Sequence, residues 1–183
     1  MDLPPLSCGG ISGAAAIAVD ESDSAAGQVL LFGGVAEAFT LLSTVHLVDL
    51  ATGACAPQQS NLLHPRAYLA AGRLLDARVV CVVGVGNHGV GSSAEVWGAP
   101  EQGAADAAWG WRVLPAMSEQ RFGCCRCVMS DGRFAALSGK SSIVFATSSC
   151  EALVVNGGDP QWEPLSPMRG CRRVRHRRRW GWS

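Results

Sequence analysis

The sequence predicts an all-β fold built from about three repeated units of four short strands each. Three observations carry that prediction. First, apolar runs stop on glycine three times, in "QVLLFGG" (Gln28 to Gly34), "RVVCVVGVG" (Arg78 to Gly86) and "RFAALSG" (Arg133 to Gly139). Gly34, Gly86 and Gly139 stand 52 and 53 residues apart, and a step of that size marks a repeat architecture. Second, "WRVLPAM" and "WEPLSPM" share the pattern W-x-x-L-x-x-M, with Trp111 and Trp162 51 residues apart. Third, the apolar runs are short, continuous and punctuated by glycine, which favours strands over helices.

The elements follow in order. In the first unit, residues 7–60, "GAAAIAV" is an inner strand, "DESDSAAG" a polar turn, and Gln28 to Gly34 the second strand. "TVHLVDL" alternates as a half-buried third strand, and "ATGAC" turns into a poor fourth. In the second unit, residues 61–117, "RAYLAAGRL" and "ARVVCVVGV" pair around Leu75 and Asp76; "AEVW" is third and "WRVLP" fourth. The run "EQGAADAAWGW" between them reads as a loop, because two glycines interrupt it. In the third unit, residues 118–168, "FGCCRCVM" and "RFAALSG" flank "SDG", an Asp-Gly hairpin signal. "EALVV" and "WEPLS" close the unit. Residues 169–183 form a basic tail or the start of an interrupted fourth unit.

Two further landmarks recur. A serine leads each third strand (Ser43, Ser93, Ser149), and an arginine lies four residues past the end of each W-x-x-L-x-x-M motif, at Arg121 and Arg172, with Arg66 four residues past Leu62. A strand ending in paired glycines, a strand with an acidic residue, a tryptophan and an arginine opening the next unit together resemble the kelch repeat, over residues 7 to 172. The first unit departs from it with Cys55 near the tryptophan place, the second with "GVG" for "GG", the third with "SG". Leu47, Trp97 and Leu153 lie near the third-strand position where the family has tyrosine. The resemblance implies a partial β-propeller of about three four-stranded kelch-like blades. Three blades are too few for a ring, so the array is expected to be open rather than closed, and capable of self-association. Gly33, Gly34, Gly84, Gly86 and Gly139 are then structural, allowing positive φ and close backbone approach. Trp111 and Trp162 are expected to fill the space between blades, and Arg66, Arg121 and Arg172 to anchor blade to blade through backbone carbonyls.

Composition agrees: 48% of the residues are hydrophobic, with 22 glycines and 9 prolines among many short strands and turns. No apolar run approaches the roughly 18 residues of a membrane helix, and the start "MDLPPLSCGG" lacks the basic region of a secretion signal. The eight cysteines are therefore expected as reduced thiols in a cytoplasmic protein, with a nuclear location as the alternative. The zero net charge hides an asymmetry. Eight cationic side chains stand against 15 acidic ones before residue 169, and seven arginines with no acid follow. "RRVRHRRR" reads as a solvated tail or an altered coding frame. The competing reading is a nuclear-localisation or nucleic-acid-binding segment, with only weak nonspecific nucleic-acid binding expected.

Chemistry is sparse. "CCRC" (Cys124 to Cys127) places three thiols within four residues, but no partner pair or spaced histidine completes a zinc set, so buried free cysteine is the expectation. His88 lies in "GNHGVGSS", which lacks the lysine and helix of a phosphate loop. A copper-radical oxidase site of the kind some kelch-like propellers carry wants two tyrosines, and the chain has Tyr68 alone. No catalytic residue, cofactor or metal is expected. The function read from the sequence is a protein–protein interaction module, part of or cut from a larger propeller. Asn87, His88 and Lys140 stand in its partner-facing loops. A fragment without independent function and a propeller enzyme are the alternatives.

Overall fold

The computed structural model describes residues 5–19, 27–58, 60–82, 84–98, 109–155 and 159–169. Three antiparallel sheets of four strands account for most of them. The first blade is β1 (Ala15–Val19), β2 (Gln28–Phe32), β3 (Val45–Asp49) and β4 (Cys55–Pro57), paired in chain order. The second is β5 (Ala70–Arg73), β6 (Val79–Val82), β9 (Ala94–Gly98) and β10 (Gly110–Leu114). The third is β11 (Cys125–Val128), β12 (Phe134–Leu137), β13 (Cys150–Val154) and β14 (Gln161–Leu165). A small hairpin, β7 (Val85–Gly86) and β8 (Gly89–Val90), rises from the second blade. The chain is thus all-β, an open propeller-like array, and each strand named from the sequence is present. The hairpin and a 3₁₀ turn at Glu37–Phe39 lie in stretches read as plain connections.

Strand alternation sets what each blade buries. On the second blade Val79, Cys81 and Trp111, with Leu62 of its leader, turn toward the first, where they meet Ala15, Phe32 and Val45. Val80, Val82, Val96 and Leu114 turn toward the third, meeting Phe134, Ala136 and Leu153. The period of two therefore builds two cores, one at each blade interface. Phe32 and Trp111 pack edge to face at 5.9 Å. The inner strand β5 lies between β1 and β11. Gly72 on it is required by crowding, because a Cβ there would stand 2.8 Å from the Phe134 ring. Arg126 on β11 reaches across to donate to the Ala16 carbonyl on β1 at 3.2 Å, tying the first and third blades together beside β5.

The two ends differ from the interfaces. Ala16, Ala18, Val29 and Leu31 alternate with the buried residues of the first blade and are exposed or half-buried. On the third blade Cys125 and Cys127 are exposed, Leu137 and Leu165 half-buried, and the small Ala135, Ala152 and Cys150 buried. The expectation of buried thiols in "CCRC" therefore fails for Cys125 and Cys127, which an edge strand leaves to solvent. Cys124 is half-buried, and burial pushes its thiol up to about 11. Among the described residues no three His, Cys, Asp or Glu side chains converge as a metal set, and no helix is long and apolar enough to cross a membrane.

Candidate functional site

A short leader enters each inner strand: residues 5–14, 60–69 and 115–124. These leaders and the loops joining second to third strands lie at one end of the blades, held by bridges between Ser12 and Val35, Ala67 and Val85, and Phe122 and Lys140. The repeated residues shape this end.

Arg66 and Arg121 each stand four residues before an inner strand and are fully enclosed, 3% and 0% exposed. Arg121 pairs with Glu151 at 2.6 Å and donates to the carbonyls of Ser138 and Ser149 at 3.1 and 2.8 Å. Arg66 pairs with Glu95 and donates to the Ser93 carbonyl at 3.2 Å. The spare acceptor capacity of each carboxylate takes leader amides: Leu63 and His64 at Glu95, Ser118 and Glu119 at Glu151. Enclosed charges need such saturation to be tolerated. The arginine side chains therefore fasten a leader to its own blade, while the link to the preceding blade runs through their backbone: Arg66 N–H donates to the Leu42 carbonyl at 3.0 Å and Arg121 N–H to the Gly91 carbonyl at 2.9 Å. In the first blade Ile11 and His46 occupy the corresponding places, so no such pair forms there. Arg172 lies outside the described residues.

The tryptophans make a second fastening. Trp111 donates its indole N–H to the Ser60 carbonyl at 3.2 Å, and Trp162 to the Pro115 carbonyl at 2.9 Å. Ser60 and Pro115 each open the leader of the same blade, ten residues ahead of its inner strand. Both rings also pack toward the preceding blade.

The glycines set the loops. Gly33 and Gly34 have φ of 57° and 103°. A Cβ on Gly33 would lie 2.5 Å from the Arg66 carbonyl oxygen, and one on Gly34 2.5 Å from Ile11 and 2.9 Å from the Ser12 oxygen. Gly84 and Gly139, at 125° and 114°, take the second place in the other blades. Gly34 and Gly84 donate to the carbonyls of Arg66 and Arg121, at 2.8 and 3.3 Å. Gly86 is not their counterpart; it belongs to β7 and its neighbour Gly84 carries the equivalent hydrogen bond. The spacing argument chose Gly86 because the hairpin adds residues after the strand.

What this framework presents is apolar. Phe39 is 92% exposed, Ile143 88%, Val144 81% and Phe145 64%. Ala38 and Phe39 are both left-handed, φ 54° and 59°, an unfavourable conformation for a bulky residue. The Ser142 hydroxyl accepts from the amides of Val144 and Phe145 at 3.3 and 3.2 Å, shaping that loop. Near the inner strands, Gly13, Tyr68 and Gly123 occupy the same place in successive blades, two residues before each inner strand. The Tyr68 amide donates to Gly13 at 2.6 Å and its carbonyl accepts from Gly123 at 2.9 Å. Tyr68 is left-handed, φ 55°, where the other two are glycine, and its half-exposed ring meets Phe122 at 6.4 Å.

Asn87 and His88 form the exposed turn of the β7–β8 hairpin, beside a cleft of about 200 Å³ lined by His64, Arg66, Gly84 and Ser93. Lys140 is exposed and bridges Phe122 and Ala146. Glu119 accepts from the hydroxyls of Ser149 and Thr147 at 2.8 and 2.9 Å, which hold its carboxyl below the usual carboxylate range. Sequence reading places Phe39 and Ile143–Phe145 in the partner-facing loops "VAEAFTLLS" and "KSSIVFATSS" without singling them out, and weighs Tyr68 only against a copper-radical site. Their signal was position: Phe39 and the triplet follow Gly34 and Gly139, and Tyr68 follows the repeated Arg66.

No protein-family model matches the sequence, and no curated protein matches it. A solved structure of YjhT is similar in fold, with a TM-score of 0.67 at 14% identity. The likeness covers 91% of this chain and 55% of that one, so the chain spans about half the length of the protein it resembles.

Proposed function

We propose that the chain is a protein-interaction module of the kelch-repeat type, part of a larger propeller or assembled into one, acting in the cytoplasm or nucleus. The observation that carries the docking reading is the left-handed, half-exposed Tyr68 among exposed Phe39 and Ile143–Phe145 at one end of the blades. Large aromatic side chains on a held backbone are what interface anchors require, since little conformational entropy is lost on docking. Strain of this kind is stored where a surface serves contact rather than stability. The opposite end offers polar hairpin turns, in which Asp76 pairs with Arg78 and Asp131 with Arg133.

The test compares capture of partners from cell extract by the wild type and by two variants, one at each end of the blades. Phe39→Ser with Tyr68→Gly should abolish specific capture while the fold persists by circular dichroism. Leu75→Ser, an exposed residue of the opposite end, should leave capture intact. Equal capture by all three proteins would sink the loop-face reading. The part-of-a-propeller reading is favoured by the open ends and by the half-length likeness.

A further inference from the structure

The first blade lacks both fastenings of its neighbours. Register places Cys55 opposite Val48, the position that Trp111 takes opposite Trp97 and Trp162 opposite Leu153. In the other blades that position clasps the blade's own leader through an indole N–H. In the first blade the leader brings Cys8 there, and the two Sγ atoms lie 2.6 Å apart. Hydrogen bonds on both sides hold the approach: Ser7 N–H donates to the Gly53 carbonyl at 2.9 Å, and Cys55 N–H to the Ser7 hydroxyl at 2.9 Å. We propose that Cys8 and Cys55 are a thiol-oxidation site, closing to a disulfide that clasps the leader onto the first blade in place of the tryptophan hydrogen bond.

Chain geometry and chemistry agree. The sulfurs need to close by roughly half an ångström to reach the ~2.0 Å of a disulfide bond. Both cysteines are half-buried, within reach of a small oxidant. Burial alone would raise the Cys55 thiol, but hydrogen bonds from Cys8 and Ser7 outweigh it and lower it below its ordinary value. Burial and the bond to Cys55 push Cys8 up to about 11. The hydrogen bond between the sulfurs acts oppositely on the two: it stabilises the Cys55 thiolate and is lost when Cys8 ionises. Cys55 is thus the attacking thiolate. With a small-molecule disulfide such as oxidised glutathione, the Cys55 sulfur attacks one sulfur of the reagent and expels the other as a thiolate. Cys8, giving up its proton, then attacks Cys55 and expels the second glutathione thiolate. Two protein thiols are oxidised, one reagent disulfide is reduced to two thiols, and no other co-reactant is needed. The other described cysteines have no such neighbour among the described residues: Cys81 is fully buried, and no sulfur contact ties Cys124, Cys125, Cys127 or Cys150 to a second thiol.

The test incubates the full chain in glutathione redox buffers, blocks free thiols by alkylation, and maps disulfide-linked peptides by mass spectrometry. The expected result is a peptide joining Cys8 to Cys55, lost in Cys8→Ser and Cys55→Ser. The oxidised wild type should melt about 5 °C above the reduced protein, because the bridge closes a long loop. Cys8→Ser should instead retain a mixed disulfide on Cys55, which shows the order of attack without depending on stability. Cys8 and Cys55 both remaining open to alkylation under oxidising buffer, or Cys55 cross-linking to a different cysteine, would overturn the proposal.

Discussion

At the scale of single residues, left-handed backbone explains more of this chain than side-chain chemistry does. Two positions test it in opposite directions. Gly34 combines φ of 103° with a Cβ direction blocked by Ile11 and the Ser12 carbonyl. Gly34→Val adds a β-branched side chain to both problems, and a loss above about 2 kcal/mol is expected. That corresponds to a fall of about 5 °C or more in thermal midpoint for a domain of this size. Ala77 is the reverse case. It sits in the hairpin turn before β6 at φ 69°, where the third blade's turn has Gly132 at 87°. Ala77→Gly should relieve about 1–2 kcal/mol of strain against about 0.5–1 kcal/mol of added unfolded-state entropy. A small rise in midpoint is expected. An unchanged midpoint for Gly34→Val, or a fall for Ala77→Gly, would show that these turns are not held as the structure has them.

At the scale of the blade, the Arg–Glu pair is the element that the second and third units share in space. Arg121→Met leaves the enclosed Glu151 carboxylate facing uncompensated burial, at a cost of about 3–5 kcal/mol. Adding Glu151→Leu removes that charge, so the double variant should melt above the single one, which a thermal double-mutant cycle measures directly. A double variant less stable than Arg121→Met would mean that the carboxylate serves its leader amides, Ser118 and Glu119, more than the arginine. The strands were legible in the sequence because period-two alternation and glycine stops are local signals. The arginines were legible as repeated positions, but their partners were not. Glu95 and Glu151 lie 29 and 30 residues beyond Arg66 and Arg121, and only strand pairing brings them together. The same holds for Cys8 and Cys55, 47 residues apart. Cys55 was legible as a departure from the repeat, but its neighbour depends on how the leader lies. The Asp76–Arg78 and Asp131–Arg133 turns recur in sequence too, yet each motif is too short to stand out before the blades are aligned. The basic run Arg172 to Arg179 lies outside the described residues.

At the scale of the whole molecule, blade number decides behaviour. Each interface core needs two blades, so the middle blade is buried on both faces while, among the described residues, the first and third each keep one face without a neighbour. Closed rings of this architecture use about four to eight blades, and stacked repeats draw stability from their neighbours. The free faces are small or half-buried, with Ala16, Ala18, Val29 and Leu31 at one end and Cys125, Cys127, Leu137 and Leu165 at the other. Such faces favour weak association over aggregation, because no large apolar side chain protrudes from either. Two copies would bring six blades together, each third blade meeting the first blade of the other copy. Sedimentation across a concentration series, under reducing conditions that exclude cysteine cross-links, is therefore expected to show a reversible rise in mass toward a dimer. Its melting midpoint should rise as concentration increases, since association shifts apparent stability by mass action. Three blades that remain a compact monomer at every concentration, with a sharp cooperative melt, would show that the end faces need no neighbour and that the array is complete in itself.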